Sequence, residues 1–134
     1  MRLLLDSHVF LWAAALPMNL TPPARAALVH PGNDVFVSLA SAWELWIKHA
    51  KKPFKEFAHV LDGGADAFRD AVTQLQIRLL DISLHHAAGV LALPHHHDDP
   101  FDRLLIAQAM HERLTLVTHD DVFDRYAGLR TLKT

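Results

Sequence analysis

This chain of 134 residues contains no cysteine. Disulfides, thiolate zinc sites and cysteine nucleophiles are therefore all excluded. Charge of one sign is also lacking: the formal net charge is −2 with neutral histidines. A balance so close to zero gives no global pull on a polyanion, so contact with a phosphate backbone needs a local basic patch or metal ions. Long apolar runs are missing too. The opening run Leu3-Leu4-Leu5 meets Asp6 at once, too short for a signal peptide, and no later stretch approaches a membrane span. A cytoplasmic protein without membrane association is expected.

The composition that remains suits one domain over 1–134, with 51% hydrophobic residues to build a core. Short apolar runs alternate with longer amphipathic ones, the mark of βα units. Strands are expected over 3–6, 35–38, 77–82 and 114–118, with a possible edge strand at 129–132. Helices are expected over 8–16, 21–30, from 41 through the Trp43–Ala50 face, over 54–61, 65–75, 83–93 and 100–114, with a short one near 122–126. Thr21-Pro22-Pro23 reads as an N-cap followed by first-turn prolines, and 94–100 as a polar loop carrying three consecutive histidines.

Four acids stand where an apolar strand ends or a helix begins: Asp6, Glu44, Asp102 and Asp120. In a parallel α/β sheet such places share one edge, where ligands bind. Carboxylates gathered there resist joint ionisation, and a divalent cation resolves the conflict. Oxygen-only ligands favour Mg²⁺ or Mn²⁺.

Each acid also has a purely structural use. Asp6 can cap the helix that follows it, and Asp120 the turn near Asp121. Ser41-x-x-Glu44 has the form of a capping box. Asp99-Pro100-Phe101-Asp102 suits a cap, a first-turn proline and an acid on the helix dipole. Lys48, four residues after Glu44, reads most simply as an ion pair, with a cation that restrains Glu44 and offsets the pocket's negative charge as the functional alternative. Arg103 reads by default as a surface salt bridge, with contact to phosphate as the functional alternative. His95, His96 and His97 are adjacent on a loop and cannot easily converge on one ion, so a solvated loop beside the site is expected. Trp12, Trp43 and Trp46 read as core or interface anchors rather than base-stacking platforms, because they lie within apolar helical stretches.

Taken in order, several segments resemble the PIN-domain proteins of the VapC toxin group. They are Leu4-Leu5-Asp6-Ser7-His8 with Leu11-Trp12, Val37-Ser38 through Ser41-Ala42-Trp43-Glu44 with Ile47-Lys48, Asp99-Pro100-Phe101-Asp102-Arg103 through Ala109, and Leu116-Val117-Thr118-His119-Asp120 with Phe123. The resemblance runs from Met1 to about Leu132. It implies a three-layer α/β/α sandwich around a parallel sheet of about five strands, ordered 3-2-1-4-5. It also implies a metal-dependent endoribonuclease, the toxin of a toxin–antitoxin pair, neutralised by a VapB-like antitoxin. By motif position the acidic site falls on Asp6, Glu44, Asp102 and Asp120, with Asp99 ranked second to Asp102. Ser7 stands where many relatives carry threonine, and it keeps the hydroxyl. Ser7 or Thr118 is expected to orient an acid or a phosphate oxygen.

The excess of apolar helix positions around Trp12 and Trp43–Trp46 leads to the expectation of a homodimer. Two other readings compete: a catalytically silent protein-interaction module, and a receiver-like phosphoryl-transfer domain. The second needs a lysine on the last strand with a helix after it, whereas Lys133 sits almost at the end of the chain.

Overall fold

The computed structural model describes residues 1–134. Five strands form one parallel sheet in the order β3-β2-β1-β4-β5: β1 (Arg2–Leu5), β2 (Asp34–Ser38), β3 (Arg78–Leu80), β4 (Thr115–Thr118) and β5 (Thr131–Lys133). The expected order is the one observed. Central β1 pairs Leu5 with Val37 of β2 and with Val117 of β4, so the three strands end level with one another. The chain runs outward from β1 to β3 and then returns to β4. That reversal puts the switch point between β1 and β4, the crevice where open α/β sheets bind ligands.

The pleat of β1 sorts its side chains into two cores. Leu3 and Leu5 join Val9, Phe10, Val37 and Leu45 on one face, while Leu4 joins Leu105, Ile106, Leu116 and Phe123 on the other. A strand buried on both faces reads as an unbroken apolar run, which is why Leu3-Leu4-Leu5 shows no alternation. Seven helices flank the sheet: α1 (Ser7–Ala15), α2 (Pro22–Val29), α3 (Leu39–Lys51), α4 (Ala58–Leu61), α5 (Gly64–Gln74), α6 (Leu84–Gly89) and α7 (Pro100–Glu112). None is long and apolar enough to cross a membrane.

Most boundaries fall within a residue or two of expectation, and the exceptions have local causes. Helix α3 begins at Leu39, because Ser38 rather than Ser41 caps it by accepting the Ala40 amide. The Ser41-x-x-Glu44 capping box therefore does not form, and the Ser41 hydroxyl has no partner at all. Strand β3 spans only Arg78–Leu80, and Gln76, two residues before it, is left-handed (φ 56°). Helix α6 stops at Gly89 and passes into a 3₁₀ turn, Val90–Ala92, well short of residue 93.

Candidate active site

Asp6 follows β1 and is almost buried, at 7% exposure. Its two oxygens are both held: Oδ1 accepts the Ser7 amide (2.7 Å) and Oδ2 accepts the Thr118 hydroxyl (2.8 Å). The cap expected of Asp6 is thus present, but it uses only one oxygen. Thr118 also accepts the Asp120 amide (3.1 Å), so a single hydroxyl ties the ends of β1 and β4 together across the switch point. Burial raises the Asp6 pKa, with the Glu44 charge adding to it, against the hydrogen bonds from Thr118 and Ser7.

Glu44 enters from α3 with 4% exposure. One oxygen accepts the Ser7 hydroxyl (2.6 Å) and the other lies 2.7 Å from Lys48 Nζ. The ion pair with Lys48 is therefore real, while the capping role proposed for Glu44 is not. Burial depresses the Lys48 pKa, but the bond to Glu44 and the charges of Glu44, Asp99 and Asp102 outweigh it, and the net shift is upward.

The first turn of α7 supplies the other carboxylates. Asp99 caps the helix, its Oδ1 accepting the amides of Phe101 (2.9 Å) and Asp102 (3.2 Å). Asp102, held in that turn, has its pKa pushed up to about 8, first by burial and then by Asp99, Asp6, Glu44 and Asp120. Asp120 lies beyond β4, exposed, with Oδ1 accepting the Val122 amide (3.0 Å), so the cap expected of it is also present. Asp6, Ser7, Glu44, Lys48, Asp99, Asp102 and Asp120 line one cleft of about 220 Å³ that has no apolar lining residue.

Such a cleft fits a hard divalent cation. Its carboxylates offer oxygen donors, and burial together with the neighbouring acids holds Asp102 largely protonated at neutral pH. No three of the cleft acids bring ligand oxygens within 4.8 Å of one another, so an ion there would engage some of them through water. The one tight trio of metal-type side chains is elsewhere, His86, His111 and Glu112 near the far end of α7. There His86 Nδ1 accepts the Ser83 amide (3.0 Å), which leaves the proton on Nε2, facing Glu112 at 2.9 Å. That arrangement is a helix cap joined to a hydrogen bond, with the ring's tautomer wrong for a metal at Nε2.

Arg103 departs from expectation. It is buried at 8% exposure and makes no salt bridge. Its guanidinium donates instead to the carbonyls of Pro94, Leu93 and Val90 and to the Tyr126 hydroxyl. It fastens the 90–94 segment, which follows α6, to α7. Arg103→Ala leaves several of these acceptors unpaired. The expected cost is about 2–3 kcal/mol, lowering the melting temperature by roughly 6–15 °C. Thermal denaturation checks this; an unchanged melting temperature with lost RNA affinity would instead assign Arg103 to phosphate.

Three histidines take part that sequence reasoning left unassigned. His97 Nδ1 lies 2.7 Å from the Tyr126 hydroxyl and Nε2 lies 3.2 Å from Asp102 Oδ2. Since Tyr126 accepts from Arg103, its own hydrogen is free for His97 Nδ1, and the Nε2 proton faces Asp102. His8 and His119 line the cleft beside the acids. Burial lowers the His8 pKa, with His119 and Lys48 pushing the same way against the pull of Asp6 and Glu44, which favours the neutral ring.

Comparison with known proteins agrees with this architecture. The profile of a family described as PIN domain matches residues 3–129. Among solved structures, VapBC2 from Rickettsia felis, bound to a DNA fragment from its promoter, superposes with a TM-score of 0.71 at 17% identity, covering 99% of this chain and 98% of that one. DNA-bound VapBC from Salmonella typhimurium gives 0.67 at 16% identity, with the same coverage of 99% and 98%. VapBC-1 from nontypeable Haemophilus influenzae gives 0.63 at 15% identity, again covering 99% and 98%. At these identities the likeness is one of fold. No curated protein matches the sequence significantly.

Proposed function

This chain belongs to the PIN-domain family, and from that premise we propose that it is a metal-dependent endoribonuclease of the VapC toxin type. In this reading the whole of 1–134 is one catalytic domain, cytoplasmic, and held in check by a cognate VapB-like antitoxin. The observation that carries the proposal is the convergence of four separate segments, carrying Asp6, Glu44, Asp102 and Asp120, on one polar cleft where burial and the neighbouring acids raise the Asp102 pKa to about 8.

Asp6, Asp102 and Asp120 would hold one or two Mg²⁺ or Mn²⁺ ions, with Asp99 close by and Glu44 engaged through water. When bound, the ion supplies charge that activates a water for in-line attack and stabilises the leaving oxygen. The chain's own residues set the geometry. Thr118 fixes Asp6 and orders the backbone of Asp120. Ser7 and Lys48 each bond one oxygen of Glu44 and so restrain that carboxylate. His97, itself positioned by Tyr126, steadies Asp102. No side chain acts as a nucleophile, so hydrolysis breaks the P–O3′ bond and leaves a 5′-phosphate and a 3′-hydroxyl. The test is RNA cleavage by the purified chain with and without divalent metal.

The receiver-like alternative finds no support. Lys133 on β5 donates to the Asp120 carbonyl (2.7 Å) and pairs with Asp121 and Asp124, not with an acid pocket.

A homodimer, with an antitoxin segment over part of the groove, is part of this proposal. Leu39 and Trp43 lie one turn apart on α3, exposed at 41% and 60%, and Trp43 meets Phe101 of α7 edge-on at 5.6 Å. Trp46 turns inward instead, packing on Phe68 and bonding the Leu61 carbonyl. We expect a dimer at micromolar concentration, and Trp43→Asp to shift it toward monomer by roughly tenfold or more in Kd. Sedimentation showing only monomer for the parent chain contradicts this.

A further inference from the structure

The cleft wall beside the acids is aromatic. His8 on α1 and His119 after β4 have ring centroids 6.0 Å apart. Trp12, one turn beyond His8, closes a triangle, 4.9 Å from His119 and 6.3 Å from His8. On its other side His8 meets Phe54 edge-on at 6.3 Å. Phe54 borders a second hollow with Lys48, Lys51 and Lys52. Lys48 lines both hollows, so the acidic cleft, the aromatic wall and the basic shelf are continuous.

The charges on the shelf are available. Lys48 is paired with Glu44, but neither Lys51 nor Lys52 takes part in any ion pair, and both are exposed. His119 is exposed as well, while His8, Trp12 and Phe54 are half-buried. Trp12 is thus more than a core anchor: its inner side packs on the main core, and its ring also meets that of an exposed histidine at the cleft. A ring assembled only to seal the core has no need of an exposed histidine across it.

On the nuclease reading above, we propose that this wall is a nucleobase subsite for single-stranded RNA. An unstacked base next to the scissile phosphodiester lies against His119 and Trp12, and Lys51 and Lys52 take a neighbouring phosphate. Stacking of this kind tolerates any base, because every base presents a π-face. It also answers the charge problem of the chain: with a net charge of −2, affinity for RNA must come from local cations and rings.

The test uses the Asp102→Asn protein, which keeps the RNA intact, and a labelled single strand of roughly twelve nucleotides read by fluorescence anisotropy. Adding His119→Ala is expected to weaken binding about tenfold, the loss of one base stack, without lowering the melting temperature, since His119 is exposed. His119→Phe should restore affinity to within about twofold, because a ring and not a proton is required. An abasic strand with the same phosphates should bind both proteins alike. Replacing Lys51 and Lys52 by Ala should flatten the logarithmic salt dependence by roughly 0.7, the loss of that one phosphate contact.

Equal affinity of the His119→Ala and parent forms, a His119→Phe form as weak as the alanine, or abasic RNA bound as tightly as normal RNA would each overturn the subsite. If the native chain still cleaves RNA in any of those cases, the nuclease reading survives and the wall becomes a surface for protein contact. Failure of the Asp102→Asn protein to bind RNA, together with no cleavage by the native chain, overturns both.

Discussion

Asp102→Asn and Asp6→Asn are each expected to reduce RNA cleavage by about a thousandfold or more while the protein stays folded. Both changes remove a charged oxygen and keep the side-chain volume. For Asp6 the amide oxygen can still accept one of the two hydrogen bonds, from Ser7 or Thr118, that its carboxylate accepts in the native chain. For Asp102 the variant mimics the neutral form that the metal-free cleft already imposes, since its pKa stands at about 8. Glu44→Gln is the informative third member. No capping box depends on Glu44, so a loss of activity there reports on the cleft and not on a helix start. Circular dichroism and melting curves beside the cleavage assay separate the two roles; unfolded Asn variants would make these acids structural.

The second large effect is on stability. The metal-free cleft keeps Asp102 protonated to about pH 8, whereas the unfolded chain releases that proton near its ordinary value of 3.8. Between those values the native state binds the extra proton, so stability is greatest below the lower value and is lost as pH rises toward 8 and beyond. Burial raises Asp6 in the same direction. His8 runs the other way, its folded pKa lowered from 6.5, so its contribution grows as pH rises through the ordinary histidine range. The folded value of Asp102, about 8, falls within the window from pH 7 to 9.

Discounted for its partial exposure, the loss across that window is on the order of 1 kcal/mol, or a few degrees of melting temperature. Asp102→Asn should flatten the curve and match or exceed the parent's stability at pH 9. Mn²⁺ at about a hundred times its Kd should add roughly 2.7 kcal/mol to the parent at neutral pH and far less to the variant. A parent whose melting temperature ignores Mn²⁺ and Mg²⁺, with a less stable Asn variant, would leave the acids as caps.

The parts of the site readable from sequence are those that local grammar specifies. Asp6 ends an apolar run and Asp120 follows one, so strand termini alone place them at the sheet edge. Asp99 and Asp102 flank Pro100, which marks the first turn of α7 as plainly as any residue can. The strand order is a different matter. It came from family resemblance, because periodicity identifies strands without saying which are neighbours.

What stayed hidden depends on contacts distant in sequence. Ser38 and Ser41 are equally good caps in isolation. The choice falls on Ser38, where β2 ends and where Gln108, seventy residues on, accepts its hydroxyl. Arg103 looked like a surface cation because nothing local reveals that the 90–94 carbonyls fold over it. His97 meets Asp102 only after Tyr126, twenty-nine residues away, has fixed its ring. Three consecutive histidines carry no signal as to which one faces inward. Trp12 sat on an apolar helix and read as core, while its second contact, His119, comes from the other end of the chain.

The central claim is that the cleft cleaves RNA through divalent metal, and the chemistry of the product ends tests it most directly. Purified protein is incubated with RNA in Mn²⁺, or in excess chelator, and both new termini are identified. The account predicts cleavage in Mn²⁺ alone, with every new 5′ end phosphorylated and every new 3′ end a free hydroxyl. Intact RNA at saturating Mn²⁺, cleavage that persists in chelator, or 2′,3′-cyclic phosphate termini would contradict it.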